Sequence, residues 1–259
     1  MPSPCDFELV SAMATHVGAV RRHNEDSGLD RREIGLWAVA DGMGGHAAGD
    51  IASRTVVEEL AAIAVPATAS ELLTNCERRI VSANSRLKKL ADERGAVIGT
   101  TVAVLLIFDG HYAAVWSGDS RIYRVRKRRI EQISVDHTEV QELISEGKLT
   151  AEEARAWPRR NVITRAIGVS DDPELEIKGS ALEPGDTFVI CSDGLTAHVE
   201  DKEILALASA HRPQQACDLL VALTLDRGAS DNVTVVAVRF DPAAAAAVRP
   251  DPANRDIWE

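Results

Sequence analysis

The chain lacks the features that mark several common classes of protein. None of its four cysteines belongs to a Cys-x-x-Cys pair, which is typical of incidental thiols in a reducing compartment. No apolar run approaches the ~18 residues needed to span a bilayer. The first residues also lack the basic and apolar regions of a signal peptide. We therefore expect a cytoplasmic protein without a membrane partner.

Positive charge is also scarce. The 259 residues include 29 Lys and Arg against 40 Asp and Glu, a net charge of −11. Nucleic acids and anionic membranes bind basic surfaces, so we expect no nucleic-acid partner. A hydrophobic content of 45% is ordinary for a globular protein with a sizeable core. The length allows one large domain or two small ones.

Several catalytic and nucleotide-binding signatures are missing. A cysteine phosphatase needs Arg six residues after its Cys, and those positions hold Ser11, Ser82, Ala197 and Leu223. Neither Gly-x-Ser-x-Gly nor Gly-x-x-x-x-Gly-Lys-Ser/Thr nor Gly-x-Gly-x-x-Gly occurs. These absences exclude four familiar routes to hydrolysis or nucleotide binding.

Apolar periodicity predicts a mixture of helices and antiparallel strands. We expect a strand over residues 7–17, a polar loop over 21–30 and a buried strand over 35–40 that stops at a turn at Asp41-Gly42. Helical spacing is predicted over 51–63, 70–93, 139–156, 202–210 and 213–225, and strands over 100–108, 112–116, 121–125, 130–133, 187–191 and 233–240. Together they predict one α+β domain over residues 1–240. The Ala- and Pro-rich tail, 241–259, is predicted to be disordered.

Four short acidic signatures lie along the chain: Arg21-x-x-Asn24-Glu25-Asp26, Asp41-Gly42-Met43-Gly44-Gly45, Ser192-Asp193-Gly194 and Asp231-Asn232. Each places a carboxylate beside a glycine, an asparagine or another acid, where packing alone does not require one. We expect these carboxylates to converge on cations. An all-oxygen donor set without His-x-x-x-His favours Mg²⁺ or Mn²⁺ over structural zinc.

Such a site indicates phosphoryl chemistry. A carboxylate that bridges two ions ~3.5–4 Å apart can hold a water that becomes a nucleophile near neutral pH. Glycine beside the bridging acid lets the backbone approach the metal and offer a carbonyl. The guanidinium of Arg21 matches two phosphate oxygens, although it could equally form a structural ion pair with the acids.

The ordered set of motifs resembles the metal-dependent Ser/Thr protein phosphatases of the PPM (PP2C-type) family, in their compact bacterial form. The resemblance covers about residues 7–240. Its motifs are Arg21-Arg22-His23-Asn24-Glu25-Asp26, Val39-Ala40-Asp41-Gly42-Met43-Gly44-Gly45, Gly99-Thr100-Thr101, Gly118-Asp119-Ser120-Arg121, Asp136-His137-Thr138, Ile163-Thr164-Arg165-Ala166-Ile167-Gly168, Cys191-Ser192-Asp193-Gly194-Leu195 and Asp231-Asn232-Val233-Thr234.

The resemblance implies an αββα sandwich of two antiparallel sheets flanked by helix pairs, with two catalytic Mn²⁺ or Mg²⁺ ions at one end. By the same resemblance, Asp41 bridges the two ions and Gly42 offers its carbonyl. Asp193 and Asp231 complete the shell of the first ion, and Glu25 reaches the second through water. A hydroxide between the ions then attacks phosphoserine or phosphothreonine in line.

The remaining site residues are also implied by resemblance. Asp119 with Asp193 would hold a weaker third ion, and Arg21 would bind the substrate phosphate. Residues 139–160 resemble the flap beside the site. Residues expected next to the ligands are Asp26, Asn232, Ser192, Asp136 and His137.

The acid that protonates the leaving group stays open. Eukaryotic members often carry His directly after the Asp-Gly pair, where this chain and bacterial relatives have Met43. A metal-bound water, His46 and His137 are the alternatives.

The resemblance implies a monomeric protein-serine/threonine phosphatase that reverses a bacterial Ser/Thr kinase, with a link to type VI secretion as one context. A catalytically silent PPM-fold module that binds a phosphoprotein or metal is the alternative from another class. A phosphatase dedicated to one regulatory partner is a second enzymatic alternative.

Overall fold

The computed structural model describes residues 7–44 and 48–242. The strands are β1 (Phe7–His16), β2 (Asp26–Arg31), β3 (Leu36–Gly44), β4 (Ile98–Thr100), β5 (Val102–Phe108), β6 (His111–Ser117), β7 (Arg121–Arg126), β8 (Arg129–Gln132), β9 (Glu176–Ala181), β10 (Thr187–Cys191) and β11 (Val233–Pro242). The helices are α1 (Gly49–Ala61), α2 (Ala69–Arg94), α3 (Glu139–Ser145), α4 (Ala151–Arg155), α5 (Asp193–Thr196), α6 (Asp201–Ala210) and α7 (Pro213–Asp226). None of these described helices is long and apolar enough to cross a membrane.

The strands form two antiparallel sheets. The first has the order β1-β11-β10-β7-β8, and the second has the order β2-β3-β5-β6-β9, with β4 paired to the end of β3. In the first sheet β1 pairs with β11 along its whole length, from Phe7 opposite Pro242 to His16 opposite Val233. Two segments far apart in sequence are therefore neighbours in the fold.

The core has three apolar layers, which confirms the predicted αββα sandwich. The middle layer lies between the sheets and includes Trp37, Leu105 and Phe188. Helices α1 and α2 cover the second sheet through an outer layer, and α6 and α7 cover the first sheet through another. Because both faces of each sheet are covered, the central strands are apolar throughout.

Strand β3 shows how this burial is encoded. Leu36 and Ala38 face the α1–α2 layer, whereas Trp37 and Val39 face the opposite sheet. The predicted turn at Asp41-Gly42 is wrong. The strand continues to Gly44 because Gly42 pairs with Thr100 of β4, so Asp41 lies within a strand.

Other boundaries also differ from the sequence predictions. Residues 26–31, assigned to a loop, form the edge strand β2, and β9 was not predicted because most of its side chains are exposed. The helix predicted over 139–156 is two short helices, with Gly147 at a φ of 71° between them. Strand β11 includes the first two residues assigned to the tail, and the disorder predicted for 243–259 falls outside the described residues.

Candidate active site

The acidic signatures meet at one end of the two sheets. Asp26 of β2 stands opposite Asp41 of β3 in the strand register. Asp193 begins α5 directly after β10, and Asp231 lies just before β11. The turn between β6 and β7 brings Asp119 to the same end. The fold therefore gathers carboxylates that are up to about two hundred residues apart in sequence.

Two threonines and a serine hold Asp41 in place. The Asp41 N–H donates to Thr101 Oγ1 at 3.0 Å, and the Thr101 N–H donates to the Asp41 carbonyl at 2.8 Å. The Thr100 hydroxyl donates to the same carbonyl at 2.9 Å, and Thr101 Oγ1 lies 2.7 Å from Ser120 Oγ. No role was predicted for these residues, although the Thr-Thr pair in the Gly99-Thr100-Thr101 motif was a signal for the two threonines.

Glycine is required where β3 meets the start of α1. A Cβ atom on Gly42 would lie 1.9 Å from the Gly49 carbonyl oxygen and 2.8 Å from that of Glu25. A Cβ atom on Gly49 would lie 2.6 Å from Glu25 Oε1. The two glycines thus let three backbone segments and the Glu25 carboxylate come together at the site.

The amide of Asn232 joins the loop after β1 to the start of β11. Its Oδ1 accepts from the Glu25 N–H at 2.8 Å, and its Nδ2 donates to the carbonyls of Val17 and His23 at 2.8 and 2.9 Å. Its own N–H donates to Asp231 Oδ1 at 2.9 Å. Asn232 therefore sets the position of Glu25 relative to Asp231.

Asp26 and Ser192 form a buried pair beneath these groups. The Ser192 hydroxyl donates to Asp26 Oδ2 at 2.7 Å and accepts from the Thr234 N–H at 3.0 Å. Asp26 Oδ1 is buried without a hydrogen-bond partner among the described residues. Burial raises the pKa of Asp26 to about 7, against the lowering effect of the Ser192 hydroxyl and with a further rise from Asp193.

Asp119 has a similar environment. Its Oδ1 is buried without a hydrogen-bond partner in the described part of the chain. Burial raises the pKa of Asp119 to about 7, and the charges of Asp193 and Asp136 add to the rise. The neighbouring Asp136 carboxylate is itself engaged by Arg121, with Nη2 to Oδ2 at 2.6 Å.

His137 supports the turn that carries Asp119. Its Nδ1 accepts from the Gly118 N–H at 3.1 Å, and its own N–H donates to the Gly118 carbonyl at 3.0 Å. The proton is therefore on Nε2, which lies 3.2 Å from Glu176 Oε1. Burial and the nearby Arg165 lower the pKa of His137. The other histidine proposed as an acid, His46, lies outside the described residues.

Burial and mutual repulsion both disfavour ionised carboxylates at the site. Burial raises the pKa of Asp41 well above its usual value, and the surrounding carboxylates of Asp26, Asp193, Asp119 and Asp231 raise it further. Burial followed by Asp231 also raises the pKa of Asp193. Carboxyls in this situation stay protonated unless a bound cation offsets their negative charge.

The residues present fit divalent cations. Oδ1 of Asp26 and Oδ1 of Asp119 are buried without a hydrogen-bond partner among the described residues, glycines leave room around Glu25, and the donor atoms are all oxygen. Within residues 7–44 and 48–242, no group of three or more His, Cys, Asp or Glu side chains already has the arrangement of a metal site. We infer that cation binding draws the carboxylates closer together against their repulsion.

The sequence left open whether Arg21 forms an ion pair with the acids or binds phosphate, and the structure bears on both roles. Its Nη2 donates to Asp231 Oδ2 at 2.7 Å, so an ion pair is present. The side chain is nevertheless 51% exposed, which leaves other guanidinium nitrogens accessible. An ion pair of this kind can aim the guanidinium at a phosphate beside the carboxylates.

A cleft of about 1090 Å³ opens beside the site, between the flap and the α5–α6 segment. The flap contains α3 and α4, and Glu139 ties its two ends together through Arg159, at 2.7 Å, and Trp157, at 3.4 Å. Polar and charged residues that line the cleft include Asp119, Asp193, Gln141, Asn161, Glu200 and Lys202.

Comparison with known proteins identifies the family. Residues 19–221 match the family model for Protein phosphatase 2C. The chain belongs to this family, as its fold and the order of its motifs predict.

Individual relatives agree with this assignment. The chain is 36% identical over 222 residues to the serine/threonine protein phosphatase PstP of Mycobacterium tuberculosis. The aligned residues cover 85% of this chain but only 42% of PstP. It is 34% identical to the protein phosphatase PhpP of Streptococcus pneumoniae, covering 89% of this chain and 97% of PhpP.

Solved structures show the same architecture. PppA, described as a key regulatory component of T6SS in Pseudomonas aeruginosa, has a TM-score of 0.84 and 40% identity, covering 90% of this chain and 97% of PppA. The catalytic domain of PstP in complex with two manganese ions has a TM-score of 0.80 and 34% identity, covering 91% of this chain and 99% of that domain.

Proposed function

We propose that this protein hydrolyses phosphoserine and phosphothreonine in proteins, using Mn²⁺ or Mg²⁺. The observation that carries the proposal is the group of carboxylates around Asp41, where burial and then mutual repulsion raise the pKa of Asp41, with Arg21 beside them. Such a cluster is unstable without cations, and a neighbouring arginine suits a phosphate. The manganese-bound PstP domain supports the same chemistry for this fold.

Asp41, the Gly42 carbonyl, Asp193, Asp231 and Glu25 would hold the two catalytic ions. Asp119 together with Asp193 would hold a weaker third. When bound, the ions would supply an activated water and neutralise charge on the phosphoryl group.

The other residues position these groups. Arg21 would bind two phosphate oxygens and orient the phosphorus toward the carboxylates. Asn232 keeps Glu25 and Asp231 in register, and Ser192 holds Asp26. The proton on His137 is directed at Glu176, which supports a positioning role for His137 and leaves an ion-bound water as the proposed leaving-group acid.

The biological context is also a proposal. A role in reversing a Ser/Thr kinase, in the cytoplasm and as a monomer, belongs to this proposal and is supported by the likeness to bacterial serine/threonine protein phosphatases. The likeness to PppA supports a link to the T6SS. A dedicated partner protein would be the alternative context.

Hydrolysis of a phosphothreonine peptide, with Mn²⁺ and with EDTA, tests the activity. We expect turnover that needs the metal and returns when excess Mn²⁺ is added after EDTA. A folded protein that is inactive with Mn²⁺ and with Mg²⁺ on several phosphopeptides would instead support the silent binding module.

Replacing Arg21 tests its phosphate role. Arg21→Ala is expected to lower kcat/KM for a phosphopeptide about 10–100-fold, since hydrogen bonds to charged groups contribute about 1.5–3 kcal/mol. Arg21→Lys should recover part of the loss, because it keeps the charge without the fork. Initial rates in Mn²⁺ measure both, with the exposed neighbour Arg22→Ala as the matched control. Equal losses in Arg21→Ala and Arg22→Ala would contradict a specific role.

A further inference from the structure

Three apolar side chains lie near the part of β3 that carries Asp41, and none of them lines the flap cleft. They are Met43, Val97 and Val169, which we call the apolar strip. Val97 is 66% exposed and Val169 is 49% exposed. Single exposed valines are common on protein surfaces and need no explanation. These three differ because they adjoin one another beside Asp41.

The side chains converge over a glycine. Met43 stands opposite Gly99 in the pairing of β3 with β4. A Cβ atom on Gly99 would lie 2.9 Å from both Met43 Cε and Val169 Cγ2, so these two side chains cover the space above it. Val97 lies beside this pair, because its carbonyl oxygen would be 3.3 Å from a Cβ atom on Gly44, the residue after Met43. The three residues of the strip are therefore close together in the fold.

A buried asparagine fixes the segment that carries Val169. Asn84 of α2 is 1% exposed. Its Oδ1 accepts from the Gly168 N–H at 2.6 Å, and its Nδ2 donates to the carbonyls of Ser170 and Asp171 at 3.0 and 3.1 Å. Val169 is held in the middle of these bonds, so the strip is a preformed surface.

The strip continues the line of β3 away from the site. Asp41 and Met43 are alternate residues of that strand and share a face. Their Cα atoms are separated by about 7 Å, because a strand rises ~3.3–3.4 Å per residue. An extended peptide has the same repeat. A side chain two residues from a phosphoresidue placed at Asp41 would therefore reach Met43 and its neighbours.

We infer that the apolar strip is a substrate subsite for an apolar side chain two residues from the phosphoserine or phosphothreonine. This inference rests on the proposed function. The unbranched Met43 side chain can adapt to residues of different shape. A charged side chain on the strip would lose water without gaining a partner. The charged flap cleft is lined by other residues, so the strip selects at one substrate position only.

A positional peptide scan tests the subsite. Phosphothreonine peptides with Leu or Ser at each of the three positions on either side would be compared by kcat/KM in Mn²⁺. We expect Leu two residues from the phosphothreonine, on one side, to raise kcat/KM about 10-fold, the usual scale for filling an apolar pocket. The double variant Val97→Ser/Val169→Ser should remove this preference while hydrolysis of p-nitrophenyl phosphate, which is too small to reach the strip, stays unchanged.

A matched control tests whether replacing an exposed valine elsewhere on the surface has the same effect. Val65 is 74% exposed and lies near the turn between β5 and β6, far from Asp41. Val65→Ser should keep the Leu preference of the wild type. A preference that persists in the double variant, or its absence from an active wild type, overturns the subsite. A wild type that hydrolyses neither peptides nor p-nitrophenyl phosphate instead rejects the proposed function.

Discussion

Asp41→Asn is expected to lower kcat for a phosphothreonine peptide by about 10³-fold or more, because we propose Asp41 as the carboxylate that both catalytic ions would share, and an amide would not replace it. The same change should stabilise the protein without metal. Burial and four neighbouring carboxylates disfavour the ionised form of Asp41 and raise its pKa, and a neutral amide removes that repulsion. Activity and metal-free stability should thus move in opposite directions.

Thermal unfolding in EDTA, alongside initial rates in Mn²⁺, measures both effects. The expected result is a higher Tm than the wild type in EDTA and little further rise when Mn²⁺ is added. Asp109→Asn is the matched control, because Asp109 is exposed in the turn between β5 and β6. If Asp41→Asn kept wild-type turnover, Asp41 would not be a catalytic ligand.

The metal-free protein should lose stability as the pH rises from about 4 to about 7. Burial raises the pKa of Asp26 and of Asp119 from 3.8 to about 7. Between these values the folded state keeps protons that the unfolded state has released. Each carboxyl therefore contributes stability that is present at low pH and lost as the pH passes through about 7. We expect the Tm in EDTA to fall by about 10–20 °C between pH 5 and pH 8, since the two carboxyls together lose about 5 kcal/mol over this range and 1 kcal/mol corresponds to roughly 2–4 °C at this size.

Added Mn²⁺ should reverse this trend, because ligands must lose their protons before they bind metal. The rise in Tm caused by a fixed Mn²⁺ concentration should therefore grow from pH 5 to pH 8. Asp26→Asn/Asp119→Asn should flatten the metal-free profile, and Asp109→Asn should leave it unchanged. A wild-type Tm in EDTA that does not fall over this range would show that these carboxyls are not protonated in the folded state.

The sequence was most informative where a residue type is unfavourable for packing but suited to binding or catalysis. Asp41, Asp193 and Asp231 stood out because a buried sheet has no structural use for ionised groups at these positions. The structure brings them together, although their chemical roles stay predictions. The central strands were equally predictable, since runs such as 187–191 are apolar on both faces.

Features that depend on tertiary contacts were harder to predict. Thr101 supports Asp41 through hydrogen bonds of its hydroxyl and its backbone. These contacts leave no local sequence pattern beyond the Thr-Thr pair. Strand β3 runs past Asp41 only because β4 pairs with it, and that pairing joins segments about sixty residues apart. The edge strands β2 and β9 carry mostly polar or small residues, so their apolar alternation is weak.

The pairing of β1 with β11 has a consequence for how the protein is made. Asp231 and Asn232 precede β11, yet Asn232 must bind the loop that follows β1, more than two hundred residues earlier in the chain. Contacts of such long sequence separation are slow to form in folding. A nascent chain that still lacks β11 consequently has no complete site, so the carboxylates of the first half of the domain wait for this strand before they meet their partners.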